Sequence, residues 1–280
     1  MSKARVALES AVITHGLPRP LNLEVARECE AAVSRAEAEP VTIAIIAGRA
    51  AIGLSEDELV ELARDTEARK CAVQDIGVLI AAGVRAGTTV SATLALAAGA
   101  GIAVMSTGGI GGVHFGSFDV SADLLQLTRS AVTVVCSGAK SILDLPATLE
   151  ALETLGVPVI GYGTDEFPGF YHAETGLTLS HRLDTAGAVA QAIKAYRSVG
   201  YSGGILLVQP APDPMSREET DDLLQDAMKA AEEEGVSGPQ VTPFLLSKMA
   251  ELSKGVTLDV NRELLRANAA LAAQLSLEIA

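Results

Sequence analysis

Residues 103–144, AVMSTGGIGGVHFGSFDVSADLLQLTRSAVTVVCSGAKSILD, together with the preceding Ile102, hold two short apolar runs, Ile102–Met105 and Val132–Cys136, each ending in a turn of glycine and small residues. Runs of this length bounded by turn residues read as buried strands, and strands buried on both faces belong to a parallel sheet covered by helices. Between the runs stand a histidine and two aspartates, and a lysine follows the second. Polar groups delivered at the carboxyl ends of buried strands are how open α/β sheets build ligand sites.

The rest of the chain extends the same alternation. Arg5–Ser10 reads as a strand, HGLPRP as a loop broken by Gly16, Pro18 and Pro20, and Leu23–Ala38 as a helix. Val41–Ala47 reads as a strand, and Ser55 with Glu58 as a capping box opening a helix to about Arg69. Further helices are expected at Ile76–Ala82, from Thr88, from Ser121, from Lys140 or Ser141, and at Thr185–Val199. Strands are expected at Val157–Gly161 and Gly204–Gln209. Ser216 and Glu219 form a second capping box, with nine acidic residues between Asp213 and Glu234 as a solvated face. Helices at Pro243–Ser253 and about Asp259–Glu278 close the chain. No repeat or linker interrupts 1–280, so a single α/β domain is expected, built as three α/β/α layers around a mixed, mostly parallel sheet.

Composition narrows the functional classes. Aromatic residues make up 3% of the chain, so Ala, Val, Ile and Leu must build the core. A net charge of −14 gives no basic face for nucleic acid. Residues 86–113 are uncharged, yet threonines, a serine and glycines interrupt them; a buried helix and strand fit better than a membrane span. Cys29, Cys71 and Cys136 lack metal-ligand spacing and read as reduced core thiols, and MSKARVALES lacks signal-peptide architecture; both point to the cytoplasm.

Few residues can carry chemistry. No HxxxH or CxxC spacing supports a structural zinc site. Asp119 and Asp123 read either as carboxylates capping a helix or, for Asp119 above all, as a ligand to a hard cation such as Mg²⁺ or Mn²⁺. The turn Thr107–Gly112 is neither a Walker loop nor a dinucleotide fingerprint, but its bare backbone suits close approach of an anionic or carbonyl-bearing ligand. Lys194, Lys229, Lys248 and Lys254 lie in polar helical contexts. Lys140, between a buried strand and the apolar SIL, is expected to be partly desolvated at a helix start, which favours the neutral nucleophilic amine; snorkelling is the structural alternative. Lys70 is placed similarly. Glu9 ends the first strand, either as a surface residue or as a buried acid with a raised pKa.

Together VALESAVITHGLPRPLN, GTTVSAT, STGGIGGVHFG, FDVSADL, SGAKSILD, LETLGVPVIGY, TPFLL and TLDVNRELLRANAALAAQ resemble, in order and over the whole chain, the pseudouridine-5′-phosphate glycosidase family, which includes the indigoidine-synthase-A-like proteins. The resemblance implies a manganese-dependent, homotrimeric α/β/α enzyme that reversibly splits pseudouridine 5′-phosphate into uracil and ribose 5-phosphate. By position, Lys140 matches the Schiff-base lysine, Glu9 the proton donor and Asp119 the metal ligand. Lys70, Val90, Thr107, His114, Ser121, Ala122 and Asp123 fall on substrate contacts. Asn261 falls on the asparagine that meets the base, with Asn268 a second candidate. KCAVQD stands where members commonly have KVSRRD, and VHFGSFD is short, with Phe115 where arginine is frequent. These departures leave open two alternatives: C-ribosylation of another acceptor, or a ribose-phosphate-binding protein without turnover.

Overall fold

Register in the sheet explains why the chemistry gathers at one edge. In a computed structural model of the chain, residues 4–116, 119–236 and 241–280 are described. Ser117 and Phe118 of VHFGSFD, like Met1–Lys3, lie outside them. Strands β1 (Arg5–Leu8), β2 (Glu39–Ile46), β3 (Arg49–Ile52), β4 (Arg69–Cys71), β5 (Ala86–Thr88), β6 (Val104–Ser106), β7 (Thr133–Cys136), β8 (Val159–Tyr162), β9 (Arg182–Leu183) and β10 (Ile205–Val208) form one sheet. Its order is β4-β5-β2-β1-β6-β7-β10-β8-β9, with β3 paired to β2. Pairing is parallel throughout except at β2–β3 and β2–β5. Because β1, β6, β7 and β10 run the same way, the residues after Leu8, Ser106, Cys136 and Val208 emerge on one edge.

Helices α1 (Leu21–Arg35), α2 (Glu56–Arg64), α3 (Ile76–Ala81), α4 (Val90–Gly99), α5 (Ala122–Arg129), α6 (Leu145–Thr154), α7 (Ala186–Ser198), α8 (Arg217–Glu233), α9 (Val241–Leu252) and α10 (Val256–Ile279) flank the sheet, giving the expected α/β/α arrangement. α10 packs on β1, β6 and β7 and against α1 and α7, and α4 packs on β2 and α5. α10 buries Leu264, Leu265, Leu271, Ala272 and Leu275, and β7 and β10 are buried along their whole length. The core is aliphatic, as a chain so poor in aromatics requires.

Two expectations are corrected, and one hairpin was not expected at all. HGLPRP is not wholly loop: Val12–Gly16 is a π-helical turn that ends at Leu17, whose extended backbone is what a residue before proline favours. The β2–β3 hairpin turns at Ala47 and Gly48, both at positive φ (46° and 82°), a two-residue turn for which Ala-Gly is a weaker signal than Asn-Gly. Finally, α6 begins at Leu145, so Lys140 does not start a helix. Asp144 is the cap, its side chain accepting from the Ala147 amide at 3.0 Å, with proline in the first turn. No helix of the described residues is long and apolar enough to cross a membrane.

Candidate active site

The pocket at the carboxyl edge spans about 580 Å³ of non-protein space, counting the part open to solvent. Glu9, Lys70, Lys140 and Asn261 all line it, although they come from the two ends and the middle of the chain. β1 delivers Glu9, β4 carries Lys70, and α10 presents Asn261. Lys140 follows β7 in a turn whose amide donates to the Ile110 carbonyl at 3.2 Å. That turn depends on Gly138, at φ 78°, where a Cβ would stand 1.8 Å from the Pro168 carbonyl oxygen. Phe170, also left-handed at φ 68°, lays its ring on the glycine turn after β6; a Cβ on Gly109 would stand 2.6 Å from that ring. Pro243, Leu246 and Leu265 complete an apolar wall.

Glu9 is the most constrained group. Its carboxylate accepts the Thr107 hydroxyl proton, and the next residue, Ser10, is locked into a buried hydroxyl network. Ser10 Oγ donates to the Ile43 carbonyl at 2.6 Å and accepts the Thr88 amide at 2.9 Å. A second, apolar cavity lies behind the carboxylate, among Leu8, Val12, Val25, Cys29 and Leu265. Burial therefore pushes the Glu9 pKa up, against the pull of Lys140, Thr107 and Lys70; Asp123 adds to the rise. A raised pKa favours the protonated carboxyl, the form that can donate a proton. Burial also lowers the Lys70 pKa, helped by the charge of Lys140 and opposed by Glu9 and Asp123.

The other expected residues form a neighbouring locus and do not line this pocket. Val90 is the first residue of α4, and Ala122 the first of α5. Ser121 caps α5, its Oγ accepting the Asp123 amide at 3.2 Å. Asp123 is buried and caps a different helix: it accepts the Ser91 amide of α4 at 2.8 Å and the Gly111 amide at 2.9 Å. The carboxylate is thus spent on backbone, tying α4, α5 and the glycine turn together. Thr107, buried, spends its hydroxyl on Glu9.

Asp119 stands further out, with 69% of its side chain exposed, and His114 Nε2 lies 3.9 Å from its Oδ2. Among the described residues no three His, Cys, Asp or Glu side chains converge into a ready metal cage. One exposed carboxylate beside a half-buried imidazole fits an ion that keeps most of its shell in water, as Mg²⁺ and Mn²⁺ do. The cysteines are inert: burial raises Cys29 and Cys136 to about 12 and Cys71 to about 11.

Several residues at the site were not singled out by sequence reasoning. His15, on the π-helical turn, lines the pocket with Nδ1 2.7 Å from the Thr14 hydroxyl, and burial and Lys70 lower its pKa. Phe170, Pro243 and Leu246 gave only apolar signals. Asn268, the second candidate for the base contact, does not line the pocket; it lies seven residues after Asn261, two turns on along one helix face.

The profile of the indigoidine synthase A like protein family matches residues 1–278. The chain is 48% identical over 282 residues to a pseudouridine-5′-phosphate glycosidase of Herpetosiphon aurantiacus, covering 98% of this chain and 92% of the relative. A pseudouridine-5′-phosphate glycosidase of Caldanaerobacter subterraneus is 46% identical over 279 residues, covering 98% and 91%. Among solved structures, an indigoidine synthase A-like protein of Thermotoga maritima superposes with a TM-score of 0.93 at 36% identity, covering 99% of this chain and 93% of that one. The prealnumycin C-glycosynthase in complex with ribulose 5-phosphate superposes with a TM-score of 0.90 at 36% identity, covering 99% and 91%. By sequence and by fold, the chain belongs to the indigoidine synthase A like family.

Proposed function

We propose that this protein is an enzyme that reversibly splits the C–C glycosidic bond of pseudouridine 5′-phosphate, giving uracil and ribose 5-phosphate through a Schiff base on Lys140. The observation that carries the reading is one pocket lined by a lysine that follows a buried strand and by a carboxyl whose pKa burial raises. The names of the relatives support the substrate, and the sugar phosphate held by the C-glycosynthase supports its ribose-phosphate half.

A C-glycosidic bond offers no leaving oxygen or nitrogen to protonate, so hydrolysis by a carboxylate pair is closed to it. Glu9 protonates the ribose ring oxygen and the ring opens. The Lys140 amine bonds to C1′, and its lone pair then forms the C1′=N iminium as the C1′–C5 bond breaks. The bonding pair stays with uracil, whose C5 takes a proton, and water releases ribose 5-phosphate from the lysine. Lys70 offers a cation to the phosphate, and Asn261 a donor and an acceptor to the base. Thr107 acts in this scheme by holding Glu9, and Asp123 by ordering the amides around Val90, Ser121 and Ala122. Asp119, with His114 beside it, is assigned to hold Mn²⁺, which when bound supplies positive charge that orients the substrate phosphate. The reading carries a homotrimer, for which exposed Phe115, Val120 and Leu125 offer apolar surface, and a cytoplasmic location.

The test is borohydride trapping. Protein mixed with ribose 5-phosphate and reduced should carry one adduct, at Lys140; no adduct, or one elsewhere, removes the mechanism. The likeness to the C-glycosynthase favours one second reading, a different acceptor. A screen of planar acceptors in the condensing direction with ribose 5-phosphate and Mn²⁺ decides it, uracil being the acceptor expected to turn over fastest.

A further inference from the structure

Asn268 lies on α10, wholly buried, and reaches the carboxyl ends of three strands at once. Its Nδ2 donates to the Thr107 carbonyl at 2.9 Å and contacts Ser137 Oγ at 3.2 Å, after β6 and β7. Its Oδ1 accepts from Gln209 Nε2 at 2.9 Å, after β10. Those partners fix which way round the amide lies, since each end is spent on a group of the right kind.

Thr107 needs such a partner. Its own amide is held by the Val135 carbonyl at 3.0 Å, as in a continuing strand. The chain then leaves the sheet at Gly108 and Gly109, so the Thr107 carbonyl has lost its ladder position. A buried carbonyl without a donor is costly, and two following glycines offer little resistance to a peptide that rotates to find one. The Asn268 amide clamps that peptide from α10, and it also reaches the Gly108 carbonyl at 3.4 Å. What remains of Thr107 is its hydroxyl, and that hydroxyl donates to Glu9.

We propose that Asn268 is a positioning residue for the proton donor: by clamping the Thr107 peptide it keeps the Thr107 hydroxyl on the Glu9 carboxylate. A buried asparagine that only tied α10 to the sheet would need no particular strand residue. This one grips the residue whose side chain meets Glu9, and its second end is braced by the side chain of Gln209, whose backbone N–H donates to the Cys136 carbonyl at 3.0 Å. The inference rests on the proton-donor role given to Glu9 above, but its geometry can be read without turnover.

The experiment follows the Glu9 carboxyl directly. Protein carrying ¹³C at the glutamate side-chain carboxyl carbons is titrated by NMR, with E9Q assigning the signal. Glu9 faces Lys140, Lys70 and Asp123, and all three stay in place in the variants used. Donation from a hydroxyl favours the ionised carboxylate, so T107V should move the Glu9 midpoint upward by about half to one pH unit, while T107S leaves it in place. N268A should move it the same way and by a similar amount. The double variant N268A/T107V should show no more than T107V alone, since both act through one hydroxyl. Turnover of pseudouridine 5′-phosphate by N268A should fall roughly 10- to 100-fold in kcat with KM little changed. Should N268A not fold, N268L keeps the volume and removes the amide. A Glu9 midpoint unmoved in a folded Asn268 variant, or shifts that add in the double variant, overturns the positioning role. A wild-type protein inactive on pseudouridine 5′-phosphate but showing the coupled shifts would instead overturn the substrate and keep the clamp.

Discussion

Asp119 and Asp123 stand four residues apart on one loop-to-helix junction, and the fold treats them in opposite ways. Asp123 is buried and gives both oxygens to backbone amides, 2.8 and 2.9 Å away. Asp119 keeps 69% of its side chain in solvent, with an imidazole at 3.9 Å. The same division runs through the whole site. Glu9 is held by Thr107 on one side and followed by the Ser10 hydroxyl network on the other, with an apolar cavity behind it. The half that must keep a proton is assembled in advance and largely buried, because burial disfavours the charged carboxylate. The half assigned to an ion and a phosphate is left open, because those ligands bring their own water.

The largest effects should come from the closed half. K140A should abolish turnover and the borohydride adduct together, a loss of roughly a thousandfold or more when a covalent nucleophile is removed. E9Q should lose on the order of a hundredfold or more in kcat, the scale of general-acid catalysis, while metal binding measured by calorimetry is unchanged. If E9Q kept full rate, the closed half would be a scaffold and the contrast with Asp119 would lose its chemical meaning.

The open half should respond to metal and hardly at all to heat. Chelation by EDTA should lower the rate about tenfold or more and Mn²⁺ restore it, with D119N insensitive to both. The melting temperature of D119N should stay within about 2 °C of wild type, since an exposed side chain contributes at most roughly 0.5 kcal/mol. D123A reverses the pattern. Stripping the acceptor from two amides should cost roughly 2–3 kcal/mol, a drop of about 5–10 °C in a calorimetric scan. Equal melting temperatures for the two variants would erase the distinction between the aspartates.

This division was only half legible in the sequence. Lys140 and Glu9 stood out because lysine is scarce and both follow apolar strands, and α10 with its Asn261 followed from an unbroken alanine-rich helical pattern. What lies around them did not, because it depends on contacts between distant segments. SGAKSIL looked like a helix start, whereas Asp144 and Pro146, four to six residues on, cap the real one. Asp123 was weighed as a cap for its own helix and caps α4 instead. The three-residue strand β5 gives no periodicity to read, yet its Thr88 anchors the residue after Glu9. Asn268 follows an arginine and an alanine in a helix otherwise rich in small residues; only the strands it joins reveal its use.

The smallest predicted effect tests whether the closed half is strained by its task. The Glu9 carboxyl has an ordinary value of 4.5 in the unfolded chain and a higher one when buried, so the folded protein binds this proton more tightly. The stability that goes with it is fully present below 4.5 and is lost as pH rises through the folded value. Above that value the fold must hold a carboxylate where burial disfavours one, a cost that E9Q does not carry. The melting temperature of E9Q relative to wild type should therefore climb as the buffer is taken from about pH 4 to pH 8, by a few degrees. A climbing E9Q curve means that the protein gives up stability at the place where it keeps its proton. A flat curve would mean that Glu9 titrates as an ordinary carboxylate and that its burial does not serve proton donation.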